Sequence, residues 1–305
     1  MTLITKDIDT AVKELLSGNV VGLPTETVYG LGADALNEKA VLKIYETKER
    51  PAFNPVIVHV FDIENLGDYA ISIPDEAYNL AEKFSPGPLT FIFKKGNKIP
   101  DIVTAGNDSV GLRIPSHPVF REVLKETNLP VAAPSANRAG RISPTSAEDV
   151  MSELKDRINF ILDGGKCRIG IESTIISFTG EYPEILRHGF VTKEDIENVI
   201  GKTKEYHSGK IISPGQLKSH YAPSTPLLCE DDLANVDVSD KKTGLLDFSK
   251  YSDYKEIALN LFSDLRKLDE QNYDIILWKK LKDEGLGIAI NDRLSRASVS
   301  ASYEQ

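Results

Sequence analysis

The chain has 305 residues, a net charge of −10 and a hydrophobic fraction of 41%. That is enough to bury one large or two smaller cores, no run approaches the roughly 18 apolar residues that span a bilayer, and the acidic balance argues against broad electrostatic binding to nucleic acid. The two cysteines, Cys167 and Cys229, lack metal-ligand spacing, so neither a disulfide framework nor a structural zinc site is expected and a reducing cytosol is the natural setting.

The N-terminus, MTLITKDIDTAVKELL, carries early acidic residues and no apolar signal core. Residues 8–17 read as an amphipathic helix with Ile8, Val12, Leu15 and Leu16 on one face and Gly18 as its stop. A short buried strand at 20–23 ends at Pro24 and feeds the hydroxyl- and glycine-rich turn of GLPTETVYGLG, 22–32. A helix over 37–47 precedes the basic cluster Lys48-Glu49-Arg50, and a strand follows at 56–60. Residues 75–84 are helical, and the turn SPGP at 85–88 leads into the strand LTFIF. A strand over 109–114 precedes a helix that Ser116 can cap. Pro130 starts the strand VAA, and Thr145 with Glu148 reads as a capping box for the helix through Leu154. INFILD, STIISF and EILR are further strands, and Thr192 caps a helix carrying Ile196, Val199 and Ile200. Strands and helices alternate irregularly, which predicts an α/β domain with a mixed, twisted sheet.

The composition changes near residue 202. KTKEYHSGKIISPGQLKSHYAPSTP has no hydrophobic period and reads as a linker of roughly 25 residues, longer than ordinary loops. After it come the strands LLC and TGLLDF, a long helix lined by Tyr254, Ile257, Leu261, Phe262, Leu265 and Leu268, the strand DIILW, and the final helix in GLGIAINDRLSRA. The expected organisation is therefore 1–201, a linker over 202–226, and a small α/β domain over 227–305.

No catalytic triad, H-E-x-x-H, C-x-x-C, Walker A loop or G-x-G-x-x-G stands out, so an enzyme here would work by positioning and charge stabilisation. Of the five histidines, His59 lies in an apolar strand and reads as a core residue, His117 opens a helix, and His188, His207 and His220 fall in turns or linker. Lys48 and Arg50 can converge on one phosphate or carboxylate; the plainer reading is a solvated charge pair at a helix end. Arg113, inside the apolar GLRIP, needs an anionic partner, either a ligand or a buried structural carboxylate. Ser135 and Asn137 suit a phosphate-holding turn or an ordinary cap; Ser143, Ser173 and Thr174 share that ambiguity. Thr25 and Thr27 could orient a small polar substrate or satisfy turn backbone. Hydroxyls, arginines and glycines return at so many strand ends that one cleft built from several loops is the economical reading. An RNA-binding module remains a competing class, favoured by a basic cleft and opposed by the total charge.

GLPTETVYGLGADA, the K-x-R cluster with NPVIVHV, SVGLRIP, APSANRAGRISPT and GIESTI, in this order and spacing, resemble the YrdC-type threonylcarbamoyl-AMP synthase family over about residues 10–200. SPGQLKSHYAPSTPL and GLGIAINDRLSRA resemble its two-domain branch. The resemblance implies a YrdC-like domain with a twisted mixed sheet and open cleft, then a small Rossmann-like α/β domain. It implies a nucleotidyltransferase that converts L-threonine, bicarbonate and ATP, with Mg2+, into threonylcarbamoyl-AMP and pyrophosphate. A partner threonylcarbamoyl transferase would then modify tRNA beside the anticodon, with direct tRNA binding left open and no membrane involved. By position, Thr27, His59, Arg113, Ser173 and the Ala133 backbone would bind threonine, with Arg113 on its carboxylate. Lys48 and Arg50 would be catalytic and, with Asn54, Ser109, Ser135, Asn137, Ser143, Arg187 and Tyr221, would bind ATP. The linker would act as a lid; it departs from the family pattern at Gln216, Leu217 and Ser219. A related hydrogenase-maturation carbamoyl-transfer enzyme would want zinc-finger cysteines and further domains, which this chain lacks.

Overall fold

A computed structural model describes residues 1–206, 211–216, 219–235 and 238–298. His207 and Leu217 lie outside the described residues. The chain opens with β1 (Leu3–Thr5), α1 (Ile8–Leu16), β2 (Val21–Leu23), β3 (Gly30–Asp34), α2 (Glu38–Lys48) and β4 (Ile57–His59). There follow α3 (Leu66–Tyr69), β5 (Ala70–Ile71), α4 (Asp75–Phe84), β6 (Leu89–Lys95), α5 (Asp101–Thr104), β7 (Ser109–Arg113), α6 (Pro118–Thr127) and β8 (Val131–Ala132). The first region closes with α7 (Ala147–Leu154), β9 (Phe160–Leu162), β10 (Thr174–Ser177), β11 (Glu184–Arg187), α8 (Lys193–Ile200) and β12 (Lys204–Glu205). The second holds β13 (Leu227–Cys229), β14 (Thr243–Leu246), α9 (Tyr254–Asp269), β15 (Ile275–Trp278) and α10 (Leu286–Ser298).

Local chemistry sets the helix ends, and in two places it differs from the sequence expectation. The N-cap of α6 is His117, followed by Pro118 at the first helical position; proline fits there because that N–H has no intrahelical partner in any case. Ser116 is not the cap, and its N–H instead donates to Glu26 Oε2 at 3.2 Å. The capping box of α7 sits one residue later than Thr145 and Glu148, on Ser146 and Asp149. The Thr145 hydroxyl joins it by donating to Asp149 Oδ2 at 3.0 Å. The box at Thr192 forms as expected, closed by Asp195.

Twelve strands form one mixed sheet in the order β1-β9-β2-β3-β8-β4-β7-β6-β10-β11-β12, with β5 paired to β6. The glycine-rich run after Pro24, read from sequence as a turn, contains β3, which pairs antiparallel with β2 and β8. Its lack of a hydrophobic alternation hides it. Residues 204–205, placed in a structureless linker, add β12 parallel to β11.

One lateral rung of this sheet gathers charged side chains. His59 pairs with Arg113, Arg113 with Thr90, Thr90 with Ile175 and Ile175 with Arg187. Residues directly opposite in neighbouring strands project to the same face, so this rung sets His59 beside Arg113, with Arg187 three strands further along it across Thr90 and Ile175.

The second sheet, β13-β15-β14, is all parallel. Helix α9 buries Ile257, Ala258, Leu261, Phe262 and Leu265, and each large apolar side chain contributes roughly 1.5–3 kcal/mol. The hydrophobic cluster they join also takes in Val28, Ile142, Ile171 and Tyr221 from the first region and the linker. The two regions therefore share a core. Among the described residues, no helix is long and apolar enough to cross a membrane.

Gly170 marks how closely the regions meet. It sits at φ +85°, and a Cβ there would lie 2.4 Å from the Ala258 and Leu259 carbonyl oxygens of α9. Gly170→Ala combines backbone strain with overpacking against main chain that cannot give way. We expect a loss of roughly 2–4 kcal/mol, read from the urea unfolding midpoint; a midpoint unchanged from the parent would show that the two regions are not pressed together at this point.

Candidate active site

The site grows from the 25–27 turn. Thr25 Oγ1 accepts from the N–H groups of Thr27 and Val28 and donates to Val28 O at 2.6 Å, so Thr25 satisfies turn backbone. That leaves Thr27, whose Oγ1 accepts from Arg113 Nη2 at 3.0 Å. Arg113 Nη2 also meets Glu26 Oε1 at 2.6 Å, both side chains being about 5% exposed. The strand arginine thus has a structural carboxylate, and its remaining nitrogen Nη1 is the group available to a ligand. His59, beside it on the rung, leans on the Phe120 ring at 5.3 Å between centroids. Burial, reinforced by the Arg113 charge, lowers its pKa to about 3.

The Lys48-Glu49-Arg50 cluster is shaped by its backbone. Lys48 ends α2 and Glu49 turns left-handed at φ 54°, which brings the chain sharply round. Lys48 is 1% exposed, so it is no solvated surface charge. Its ammonium donates to the carbonyls of Ser135 and Asn137 and ties α2 to the loop after β8. Arg50 donates from Nε to Asn54 O at 3.0 Å and from Nη2 to Pro55 O at 2.6 Å. Asn137 folds the same loop by donating to the carbonyls of Arg138 and Arg141.

On the opposite side Arg187 donates from Nε to Ser173 O at 3.0 Å and from Nη2 to Ser173 Oγ at 3.1 Å. Its Nη1 reaches Pro214 O of the linker at 3.4 Å. The linker comes down here because Gly215, at φ +85°, has no side chain; a Cβ would press on Arg187 Cδ at 3.0 Å and the Tyr221 hydroxyl at 3.1 Å. Gln216, one of the unusual linker residues, closes this turn by accepting from the N–H groups of Ile212 and Ser213 at 2.9 and 3.0 Å. Ser219, another, is exposed. Tyr221 is buried at a strained φ of 66°. It packs against His220 and Phe262 with centroid distances of 4.1 and 5.6 Å.

These groups surround a narrow cavity of about 50 Å³. Of the sequence-predicted residues, Thr27, Arg50, His59, Arg113, Ala133, Ser135, Arg187 and Tyr221 line it. Lys48, Asn54, Asn137, Ser143 and Ser173 do not line it; Lys48, Asn54, Ser143 and Ser173 bond residues that do, and Asn137 takes the Lys48 ammonium. Ser109 stands at the far end of β7 from Arg113, across from Lys94. Sequence reasoning missed two polar lining residues, Glu172 and His220. Glu172 was visible only as part of GIESTI, and His220 only as one of the histidines in turns or linker.

Positive charge dominates the interior. Burial and the nearby Arg50 push Lys48 well below its usual pKa. Burial lowers Arg50 to about 10 and lowers Arg187 as well. His220 is driven far down by burial and then by Arg50, Lys48, Arg187 and Arg293. Of the lining residues, His59 Nδ1, His220 Nδ1 and the Tyr221 hydroxyl have no protein partner, and neither do Asn54 Oδ1, Asn137 Oδ1 and Ser213 Oγ outside the lining. Buried polar atoms are seldom left unpaired, and three of them in a wall that also carries Arg50, Arg113 and Arg187 describe a site for an anionic, hydrogen-bonding ligand.

Comparison with known proteins gives the same region a lineage. A family model named Sua5_yciO_yrdC, described as telomere recombination, matches residues 13–189, and a second, described as threonylcarbamoyl-AMP synthase, C-terminal domain, matches 191–299. The threonylcarbamoyl-AMP synthase of Pyrococcus abyssi is 40% identical over 308 residues, covering 92% of this chain and 91% of that one. The Bacillus subtilis protein of the same name is 41% identical over 313 residues, covering 93% and 90%. The crystal structure of P. abyssi Sua5 complexed with L-threonine superposes with a TM-score of 0.92 at 37% identity, covering 99% of this chain and 98% of that one.

The depressed pKa of His59 has a stability consequence. Between pH 6.5 and about 3 the unfolded chain takes up a proton at this position that the folded chain refuses. Stability therefore falls as pH drops below 6.5, by up to about 1.4 kcal/mol per pH unit for this residue; His220 adds a contribution of the same sign. Urea unfolding at pH 7, 6 and 5 should show a shallower slope for His59→Gln than for the parent. Parallel slopes would mean that His59 does not stay neutral in the fold.

Proposed function

The chain belongs to the Sua5–YciO–YrdC family, and on that premise we propose that it is an L-threonylcarbamoyladenylate synthase, a nucleotidyltransferase acting in the cytosol as the first step of threonylcarbamoyl-adenosine formation on tRNA. The observation that carries the reading is the pairing of two environments in one cavity. At one end His59 and Arg113 sit in register over Thr27, suited to a small amino acid; at the other Arg50, Arg187 and the Lys48-braced loop await several negative charges.

In this reading the threonine carboxylate takes the free edge of Arg113, and its hydroxyl and amine meet Thr27, His59, Ser173 and the Ala133 backbone. The threonine nitrogen bonds to the bicarbonate carbon and water is lost, giving a carbamate. A carbamate oxygen then attacks the ATP α-phosphorus, the bond from that phosphorus to the bridging oxygen breaks, and pyrophosphate leaves. The nucleophile is the substrate's own, which accounts for a site without a serine or cysteine nucleophile. Arg50, Ser135, Arg187 and Tyr221 hold ATP from the cavity wall and offset the charge that develops on the phosphates, with Lys48, Asn54, Asn137 and Ser143 behind them; Ser109, at the far end of β7, stands away from this wall.

The donor set does not fit a protein-held magnesium ion. Glu172, bound to Ser143 and Arg293, is the one carboxylate among the residues lining the cavity, and Glu26, outside the lining, is bound to Arg113. No group of three potential metal ligands occurs among the described residues. Magnesium enters as part of the MgATP substrate.

We assign 1–201 to catalysis, 202–226 to a lid and 227–305 to a domain that holds the lid. The lid segment is pinned at Ala222, whose N–H donates to Gly140 O at 2.7 Å, and at His220, whose N–H donates to Arg296 O at 3.2 Å. A roof of this kind excludes water from a hydrolysable intermediate, which a partner transferase would then take to tRNA.

Pyrophosphate release from MgATP should require both L-threonine and bicarbonate. Release independent of threonine, or none from well-folded protein, would overturn the reading. Arg50→Ala should lower kcat/KM by about 10²-fold with an unchanged far-UV circular dichroism spectrum; full turnover would remove Arg50 from the phosphate site.

A further inference from the structure

Arg293 belongs to α10 of the second domain, yet it is wholly buried and points its charge at the first. It does not line the cavity. Its Nε donates to Glu172 Oε2 at 3.1 Å, its Nη1 donates to His188 O at 2.8 Å, and its guanidinium stands 5.6 Å from the centroid of the Tyr221 ring. Glu172, in turn, is a cavity residue. Its other oxygen, Oε1, accepts the Ser143 hydroxyl at 2.5 Å. The remaining charged groups of that lining are Arg50, Arg113 and Arg187, with no second carboxylate. A lone carboxylate in the wall of an anion site opposes the ligand that the arginines attract. Arg293 is the one cation paired with Glu172 among the described residues.

We propose that Arg293 is a positioning residue for ATP: supplied by the second domain, it neutralises and orients Glu172, so that the wall behind Ser143 does not repel the triphosphate. This rests on the synthase reading and extends it. It gives the second domain a definite part in the reaction, since the first domain alone would carry Glu172 without its counter-charge.

The test is steady-state pyrophosphate release with MgATP varied at saturating L-threonine and bicarbonate, for the full-length parent, Arg293→Met and the pair Glu172→Gln/Arg293→Met. KM does not depend on the fraction of protein that is folded, whereas apparent kcat does, so a merely structural role would lower kcat and leave KM alone. Arg293→Met should raise the ATP KM about tenfold, the consequence of setting like charges together. The double variant, which removes both charges, should return KM to within about threefold of the parent. An unchanged KM in Arg293→Met, or a double variant as impaired as the single one, would overturn the proposal. Should Arg293→Met fail to fold, the double variant still decides, because removing both partners leaves no unpaired buried charge: a near-parent KM supports the proposal and a tenfold rise refutes it. If the parent itself shows no threonine-dependent release, the synthase reading fails; parent turnover with an indifferent Arg293 sinks only the present inference.

Discussion

Lys48, Arg50, Arg187 and His220 are buried around one space, and burial is the first cause that makes each harder to charge; Arg50 adds to it for Lys48, and Arg50, Lys48 and Arg187 add to it for His220. The fold bears this cost only because carbonyls stand in for water: Ser135 and Asn137 take Lys48, Asn54 and Pro55 take Arg50, and Ser173 and Pro214 take Arg187. Neutral acceptors solvate a cation without cancelling it. The residual positive field therefore remains for a ligand, and donors already fixed in place need little reorganisation when charge develops on that ligand.

The mixed sheet is what allows this crowding. In an all-parallel sheet the loops at one edge would come from strands running the same way. Here β3 and β8 run against their neighbours, so the 25–29 turn enters β3 where the 133–137 loop leaves β8, and the bridge from Gly30 to Ser135 joins them. The rung from His59 to Arg187 then spans five strands at one level. A single face thus holds His59, Arg113 and Arg187 at spacings fixed by the strands.

Sequence made much of this legible, for identifiable reasons. Amphipathic helices such as α9 announce themselves by period, and the turn at Thr25–Thr27 by its hydroxyls. Arg113 stood out because a charge in an apolar strand demands a partner; that Glu26 supplies it, eighty-seven residues away, is a fact of register that no local pattern carries. The same holds for Lys48, whose burial depends on a loop it meets only in the folded chain. Strand β3 was hidden by its glycines, and β12 by having two residues. Nothing in the local pattern marks Glu172 within GIESTI or Arg293 within GLGIAINDRLSRA. Their significance lies in the contact between domains, which composition and periodicity do not encode.

That contact bears on why the chain has a second domain at all. Tyr221 sits in a backbone conformation unfavourable for a tyrosine, and such strain persists only where surrounding structure over-determines it. The first region supplies the Gly140 carbonyl for the next residue, but the faces of the Tyr221 ring are held by Phe262 of α9 and Arg293 of α10. A desolvated cation–π contact of this kind is worth roughly 2 kcal/mol, comparable with the strain it offsets. The roof of the cavity is therefore folded by the second domain onto the first. In the proposed reaction the nucleophile is an unstable carbamate, which gives reason to keep such a roof, since water is the competitor that positioning alone does not exclude.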